Sequence, residues 1–298
     1  MLCHVKDIGY FCTEDARPSF SDALHQMKKY MRPSFVKTTG RFRFLGLSLI
    51  AILLLAVALF ARRHREWIHD NCIVPLTHPK ADDPVIKGLL ADMVPIEGGT
   101  FVMGATPDDN PYVDEMPPHK VRVGNFSLGR HEVTQAEWEA LMGDNPSIDK
   151  GGDLPVACVS WMDCELFIRR LNKVTGRHFR FPTEQEWEYA ARKGMEGMSQ
   201  RKMTDTLEWT VEVSEGRTHP VGKLSPNALG LCDMGGNVSE WCDTTKLAYS
   251  DTLYQVYEKR KAVRGGNYSS DPWHARPTYR MNEDMDKQSP IVGLRLAE

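Results

Sequence analysis

Apolar positions recur along this chain at helical and at strand spacing, and each spacing predicts an element. Between residues 134 and 194 they fall three and four apart in three successive blocks. Thr134 with Glu137 opens the first, which carries Trp138, Leu141 and Met142 and stops at Gly143. Ser160 with Asp163 opens the second, whose apolar face is Cys164, Phe167, Ile168 and Leu171, and Gly176 ends it. Thr183 with Glu186 opens the third, with Trp187, Ala190 and Ala191 inside and Gly194 at the end. In each block a hydroxyl and an acid three residues on can satisfy free N–H groups, and a glycine can take the left-handed exit, so three helices are predicted. Residues 98–104 and the alternating run HKVRVGNFSL at 119–128 read as strands. Shorter strands are expected near 207–213, 262–268 and 291–296, with a polar, Pro-rich loop at 106–118. A few helices on a loop-rich body with short strands give an α+β class with little regular secondary structure.

One run has no periodicity. Residues 44–61, FLGLSLIAILLLAVALFA, carry no charge and are bounded by Arg41, Arg43, Arg62, Arg63 and Arg65. At about 1.5 Å per residue they just cross a hydrocarbon core of roughly 30 Å with help from snorkelling arginines. The run is read as a transmembrane helix or signal anchor, with a cleaved signal peptide ending near Ala56-Val57-Ala58 left open. Lys28, Lys29, Arg32, Lys37, Arg41 and Arg43 precede it closely, and this excess over the basic residues that follow places 1–43 in the cytoplasm. Residues 62–92, interrupted by Pro75, Pro79 and Pro84, read as a tether, and 93–298 as a periplasmic or extracellular domain.

Composition narrows the function classes. Of 298 residues, 41% are hydrophobic and 26% charged, with a net charge of −3, which offers no footprint for nucleic acid. Seven cysteines contain no C-x-x-C, so neither a zinc knuckle nor a thioredoxin motif is indicated. Cys158, Cys164, Cys232 and Cys242 are open to disulfide pairing or to burial as free thiols.

The densest stretch is LGLCDMGGNVSEW at 229–241. Gly235 and Gly236 permit conformations or close approaches that a side chain forbids. Asp233 and Glu240 flank them, so carboxylates and loop carbonyls can converge as a hard cation such as Ca2+ requires. The alternative is a structural loop, in which Asp233 caps a turn and Glu240 pairs with an arginine such as Arg264.

In order and spacing, PIEGGTFVMG, PPHKVRV, EVTQAEWEALMGDNPS, LPVACVSW, RFPTEQEWEYAARKG, HPVG, NALGLCDMGGNVSEW, AVRGGNY and IVGLRLA together resemble the formylglycine-generating enzyme, or sulfatase-modifying-factor, family. The likeness spans residues 94–298. It implies a fold related to C-type lectin-like domains, often holding Ca2+, with Asp233 and Glu240 as side-chain donors and Gly236 and Val238 as carbonyl donors. Active members oxidise a cysteine of a sulfatase peptide with O2 and a Cu(I) ion held by two cysteines beyond the RGG turn. Ser270 and Ala275 stand at those two positions here. Cu(I) prefers soft thiolates, and neither a hydroxyl nor a methyl replaces them. Ser239 also stands where the family usually has Trp, and its usual Trp-Gly turn between Gly194 and His219 is missing.

The expectation is therefore a divergent, membrane-anchored member without copper chemistry, serving as a protein- or glycan-binding module or an envelope assembly component. Tyr268, Trp273, His274 and Arg276 form its candidate ligand groove, with loop packing on the core as the alternative. A divergent oxidoreductase acting on a cysteine in a sulfatase or other protein is the second reading. Asn125, Asn237 and Asn267 lie in glycosylation-type triplets, the last two more easily read as loop formers.

Overall fold

The first described helix starts where a proline falls, because proline lacks only an N–H that the first turn leaves unbonded anyway. The computed structural model describes residues 81–109, 111–193, 208–243 and 259–298; the run 44–61 and Gly194 lie outside them. Helix α1, Pro84–Ala91, is capped by Asp83, whose carboxylate accepts from Val85 N at 2.8 Å, and it buries Ile86 and Leu89. The irregular reading of 84–91 is corrected here. Pro84 opens a helix; it does not break one.

The predicted run 119–128 becomes two strands, β3 (His119–Val123) and β4 (Phe126–Gly129). β3 pairs antiparallel with β2 (Gly99–Met103), and β4 with β1 (Met93–Ile96). The crossover needs glycine, since a Cβ on Gly98 would come within 2.4 Å of the Gly124 carbonyl.

All three predicted helices form. They are α2 (Gln135–Met142), α3 (Trp161–Thr175) and α4 (Glu184–Lys193). Thr134 and Ser160 make reciprocal capping boxes with Glu137 and Asp163, and Gly143 and Gly176 leave in the left-handed conformation. Thr183 and Glu186 exchange the same bonds at the start of α4. Trp138 of α2 stacks on Phe167 of α3, and Trp161 of α3 on Phe181 ahead of α4.

A four-stranded sheet follows in the order β7-β6-β5-β8, from Met281–Asp284, Arg260–Arg264, Ser239–Trp241 and Val292–Gly293. β5 lies antiparallel to β6 and parallel to β8. The strand expected at 207–213 is absent from its described residues. Trp209 makes one bridge to Gly236, and the chain then turns. Residues 262–268 are strand only to Arg264, and 291–296 only at Val292 and Gly293. Among the described residues no helix is long and apolar enough to cross a membrane.

Two hydrophobic clusters fill the body. One joins α1, α2 and α3 to Trp241, Val263 and Leu294; the other packs Trp187 and Ala190 of α4 under β1, β3 and β4. Between α4 and the segments around the RGG turn, buried charges are paired. Glu184 takes both Arg280 and Arg264, and Glu188 takes Arg264 and Arg192. The start of α4 is thereby clamped to β6 and to the segment that follows the RGG turn.

Candidate functional site

β6 delivers the chain into Gly265 and Gly266, both at positive φ. A Cβ on Gly266 would sit 2.6 Å from the His274 carbonyl oxygen, so the segment folds back closely on itself. Within that fold Asn267 N donates to Ser270 Oγ at 3.1 Å, and Ser270 O accepts from Val211 N at 2.9 Å. Ala275 is buried. The two positions that the resemblance assigns to copper are thus a hydroxyl used in a turn and a packed methyl. Cys158, Cys164, Cys232 and Cys242 are all free thiols. Burial raises the pKa of each, most strongly for Cys164 and Cys242, and so disfavours the thiolate that binds metal.

The short 3-10 turn Pro272–Ala275 is capped by Asp271 and presents an aromatic face. Asp271 Oδ1 lies 2.7 Å from His274 Nδ1, and His274 Nε2 lies 2.9 Å from the Tyr112 hydroxyl. A carboxylate only accepts, so Nδ1 donates to Asp271, and Nε2 shares the second hydrogen bond with the Tyr112 hydroxyl. Burial pushes the Asp271 carboxyl up, but hydrogen bonds from His274 together outweigh it and hold the pKa below the usual carboxylate value. Tyr279 packs edge-on against His274 with ring centroids 4.8 Å apart.

Arg276 does not project from this face. It is buried, its Nη2 meets both Glu115 oxygens at 2.6 and 2.8 Å, and its guanidinium lies 3.5 Å from the Trp273 ring centre. Trp273 and His274 form the surface, and Arg276 supports it from behind. Tyr268 stands apart, its N–H donating to Asn237 O and its carbonyl accepting from Ser214 Oγ at 2.6 Å. Burial, with Asp149 and Cys158, raises its hydroxyl pKa. Sequence reasoning missed Tyr112, Glu115 and Tyr279, which lie outside the quoted motifs. The one available signal was an aromatic residue in the polar 106–118 loop.

The 229–241 loop is buried throughout its acidic part. Glu240 Oε1 and Oε2 accept from Arg295 Nε and Nη2 at 2.7 to 2.9 Å, and Oε2 also accepts from Trp187 Nε1 at 2.6 Å. Its arginine is Arg295, not Arg264, whose partners are Glu184 and Glu188. Asp233 has a left-handed φ of 54°, and its Oδ2 accepts from Gly222 N at 2.6 Å. Its Oδ1 is buried without a hydrogen-bond partner. As donors to a hard cation, Asp233 therefore fits through Oδ1, whereas Glu240 is occupied by guanidinium and indole N–H groups. Gly236 packs on the Trp209 main chain, and Val238 is buried. Asn237 and Asn267 are also buried, as loop-forming residues are.

Glu208 sits against the same turn. A Cβ on Gly235 would come within 2.4 Å of its carboxyl, and both of its oxygens lack partners. Burial alone pushes its pKa up to about 8.

Residues 81–298 match the model of the sulfatase-modifying factor enzyme 1-like domain. The chain belongs to this family. The chaperone protein LppX of Paenibacillus barcinonensis is 27% identical, over 69% of this chain and 88% of its own length. The formylglycine-generating enzyme of Streptomyces coelicolor is 29% identical over 55% of this chain and 59% of its own. The inactive C-alpha-formylglycine-generating enzyme 2 of Mus musculus is 30% identical over 55% and 56%. The family chain here thus spans little more than half of the last two. Among solved structures, Treponema denticola variable protein 1 superposes with a TM-score of 0.61 at 26% identity, covering 69% of this chain and 94% of that one.

Proposed function

We propose that this family member is a non-oxidising binding module, tethered to a membrane through residues 44–61, whose face beyond the RGG turn receives a protein or glycan partner. The observation that carries the reading is the hydroxyl of Ser270 and the buried methyl of Ala275 at the positions of the copper thiolates. A soft monovalent ion finds no donor in either group. The exposed apolar side chains support the binding role. Val211 is joined by its main chain to Ser270, and Val213 lies beside Ser214, which bonds Tyr268. Trp273 and Tyr112 stand at His274, in the same segment as Ser270, Val113 follows Tyr112, and all five apolar side chains are at least 36% exposed. Apolar groups gathered around one loop are more informative than the same groups scattered singly. Relatives named a chaperone and an inactive enzyme accord with a role for this fold that needs no oxidase.

The competing reading, a divergent oxidase of a protein cysteine, is favoured by the likeness to the Streptomyces enzyme. One experiment separates them. The full chain, loaded with Cu(I) under reducing conditions, is expected to bind no stoichiometric copper and to take up no O2 with a Cys-containing sulfatase peptide. Turnover establishes the oxidase instead. Fractionation and alkaline extraction of native membranes tests the tether, and crosslinking there identifies the partner.

A further inference from the structure

The exposed apolar face beyond the RGG turn is framed by segments 105–118, 208–217 and 267–276, none of which contains a lysine. Main-chain and side-chain bonds hold the segments together. Ala105 N donates to Glu115 O at 2.9 Å and closes the first into a loop, whose Tyr112 hydroxyl lies 2.9 Å from His274 Nε2 in the last. Val211 N of the middle segment donates to Ser270 O at 2.9 Å. The arginines in these segments are already taken. Arg276 is buried against Glu115, and Arg217 pairs with Glu215. Asp108, Asp109, Glu212 and Asp271 meet no lysine or arginine among the described residues, and all but Asp109 are exposed. These acids do not converge. Among the described residues no three imidazole, thiolate or carboxylate groups gather at metal distance, so the rim acts as a field on whatever approaches the face and not as an ion site.

We infer that the partner of this face is a basic protein segment, whose lysine or arginine side chains meet Asp271 and Glu212 while its apolar side chains cover Trp273 and Val211. The inference rests on the binding-module reading and commits it to one of its two partner classes. Charge decides between them. A neutral glycan leaves the rim carboxylates uncompensated, and an acidic glycan or an anionic lipid headgroup is repelled by them. A chain that interleaves apolar and basic groups satisfies both the apolar centre and the acidic rim, which is the usual division of a protein interface. Trp273 sorts the two parts. Its ring already carries the Arg276 guanidinium 3.5 Å from its centre, so an incoming cation gains little there and is directed to the carboxylates. The exposed indole surface is left for apolar contact.

The probe is a library of random displayed peptides, selected on the full chain in detergent. Enriched peptides are expected to be net positive, with lysine or arginine interleaved among apolar residues. Their affinity is expected to fall at least tenfold between about 0.1 and about 1 M salt, over which the screening length drops from about 10 to about 3 Å. Trp273→Ala is expected to abolish binding. Glu212→Gln is expected to weaken it about threefold, as loss of an exposed charge pair does. Asp271→Asn, which leaves a residue able to cap the turn, should do the same. Glu139→Gln, on the exposed side of α2, removes an equal charge elsewhere and should change nothing. Enrichment of neutral or acidic peptides, or of none, overturns the proposal. Affinity indifferent to salt, or an equal effect of Glu139→Gln, overturns it too. If the peptides fail while Trp273→Ala still removes the crosslinked partner from native membranes, the binding-module reading stands and only the basic class falls. If that partner also survives Trp273→Ala, the binding face falls with it.

Discussion

Arg295 and Glu240 form a two-pronged ion pair at 2.7 to 2.9 Å, with both side chains at most 1% exposed. The guanidinium also donates to three main-chain carbonyls, of Gly129, Cys232 and Asp233, and so fastens β4 to the acidic loop. Substitution Arg295→Met strands a buried carboxylate and three carbonyls at once. The expected loss is about 3–5 kcal/mol of unfolding free energy, measured by urea titration at pH 7. A loss below about 1 kcal/mol contradicts this account.

Glu208 gives the chain a pH dependence of definite sign. Its pKa is pushed up to about 8 in the folded state by burial, against roughly 4.3 in an unfolded chain. Below the lower value both states are protonated and the contribution to stability is full. As pH rises between the two, the unfolded chain ionises first and stability falls, levelling off above the folded pKa. Glu208→Gln removes this slope. It is expected to stabilise the protein by up to about 3.6 kcal/mol at pH 7 and by nearly nothing at pH 4. Paired urea titrations across that range check it, and a difference independent of pH refutes the assignment.

Gly236 has φ +79, and a Cβ there would lie 2.4 Å from the Trp209 carbonyl oxygen. Main chain cannot yield as a side-chain tip can. Gly236→Ala is expected to cost more than about 2 kcal/mol from combined strain and overpacking. Gly143→Ala has the same kind of φ but open space around it, so it should cost less. Melting temperatures of the two variants decide the order.

These contrasts also mark how far the sequence could be read. The helices were legible because cap, period and exit are local signals, and Thr134, Ser160 and Gly176 each do in space what they promise in the chain. The division of 119–128 was not, since it depends on Gly98 meeting Gly124, a contact across 26 positions. β5 and β8 are too short for alternation to show. Charged residues misled most. Arg276 read as a projecting group and lies under Trp273, while Glu132 and Glu208 gave no sign of burial, because pairing or its failure is a tertiary fact. That Ser270 and Ala275 carry no sulfur is legible at once, since residue identity alone shows it.

If the aromatic face receives a partner, Trp273→Ala should remove it without unfolding the body. Trp273 is 36% exposed, and Arg276 keeps its Glu115 pair without the indole. The expected outcome is loss of most crosslinked partner in native membranes with little change in melting temperature. Val102→Lys, on the exposed side of β2, is the control. Retention of the partner by Trp273→Ala, or equal loss with the control, counts against this surface.

Glu184 is shared by Arg264, which leads into the RGG turn, and Arg280, which follows it. One carboxylate at the head of a helix therefore anchors both ends of the presenting loop. Such a loop comes to its encounter already shaped, with little freedom left to surrender on contact. Capture should then proceed in a single kinetic phase whose rate rises linearly with partner concentration, with no slower step of adjustment behind it.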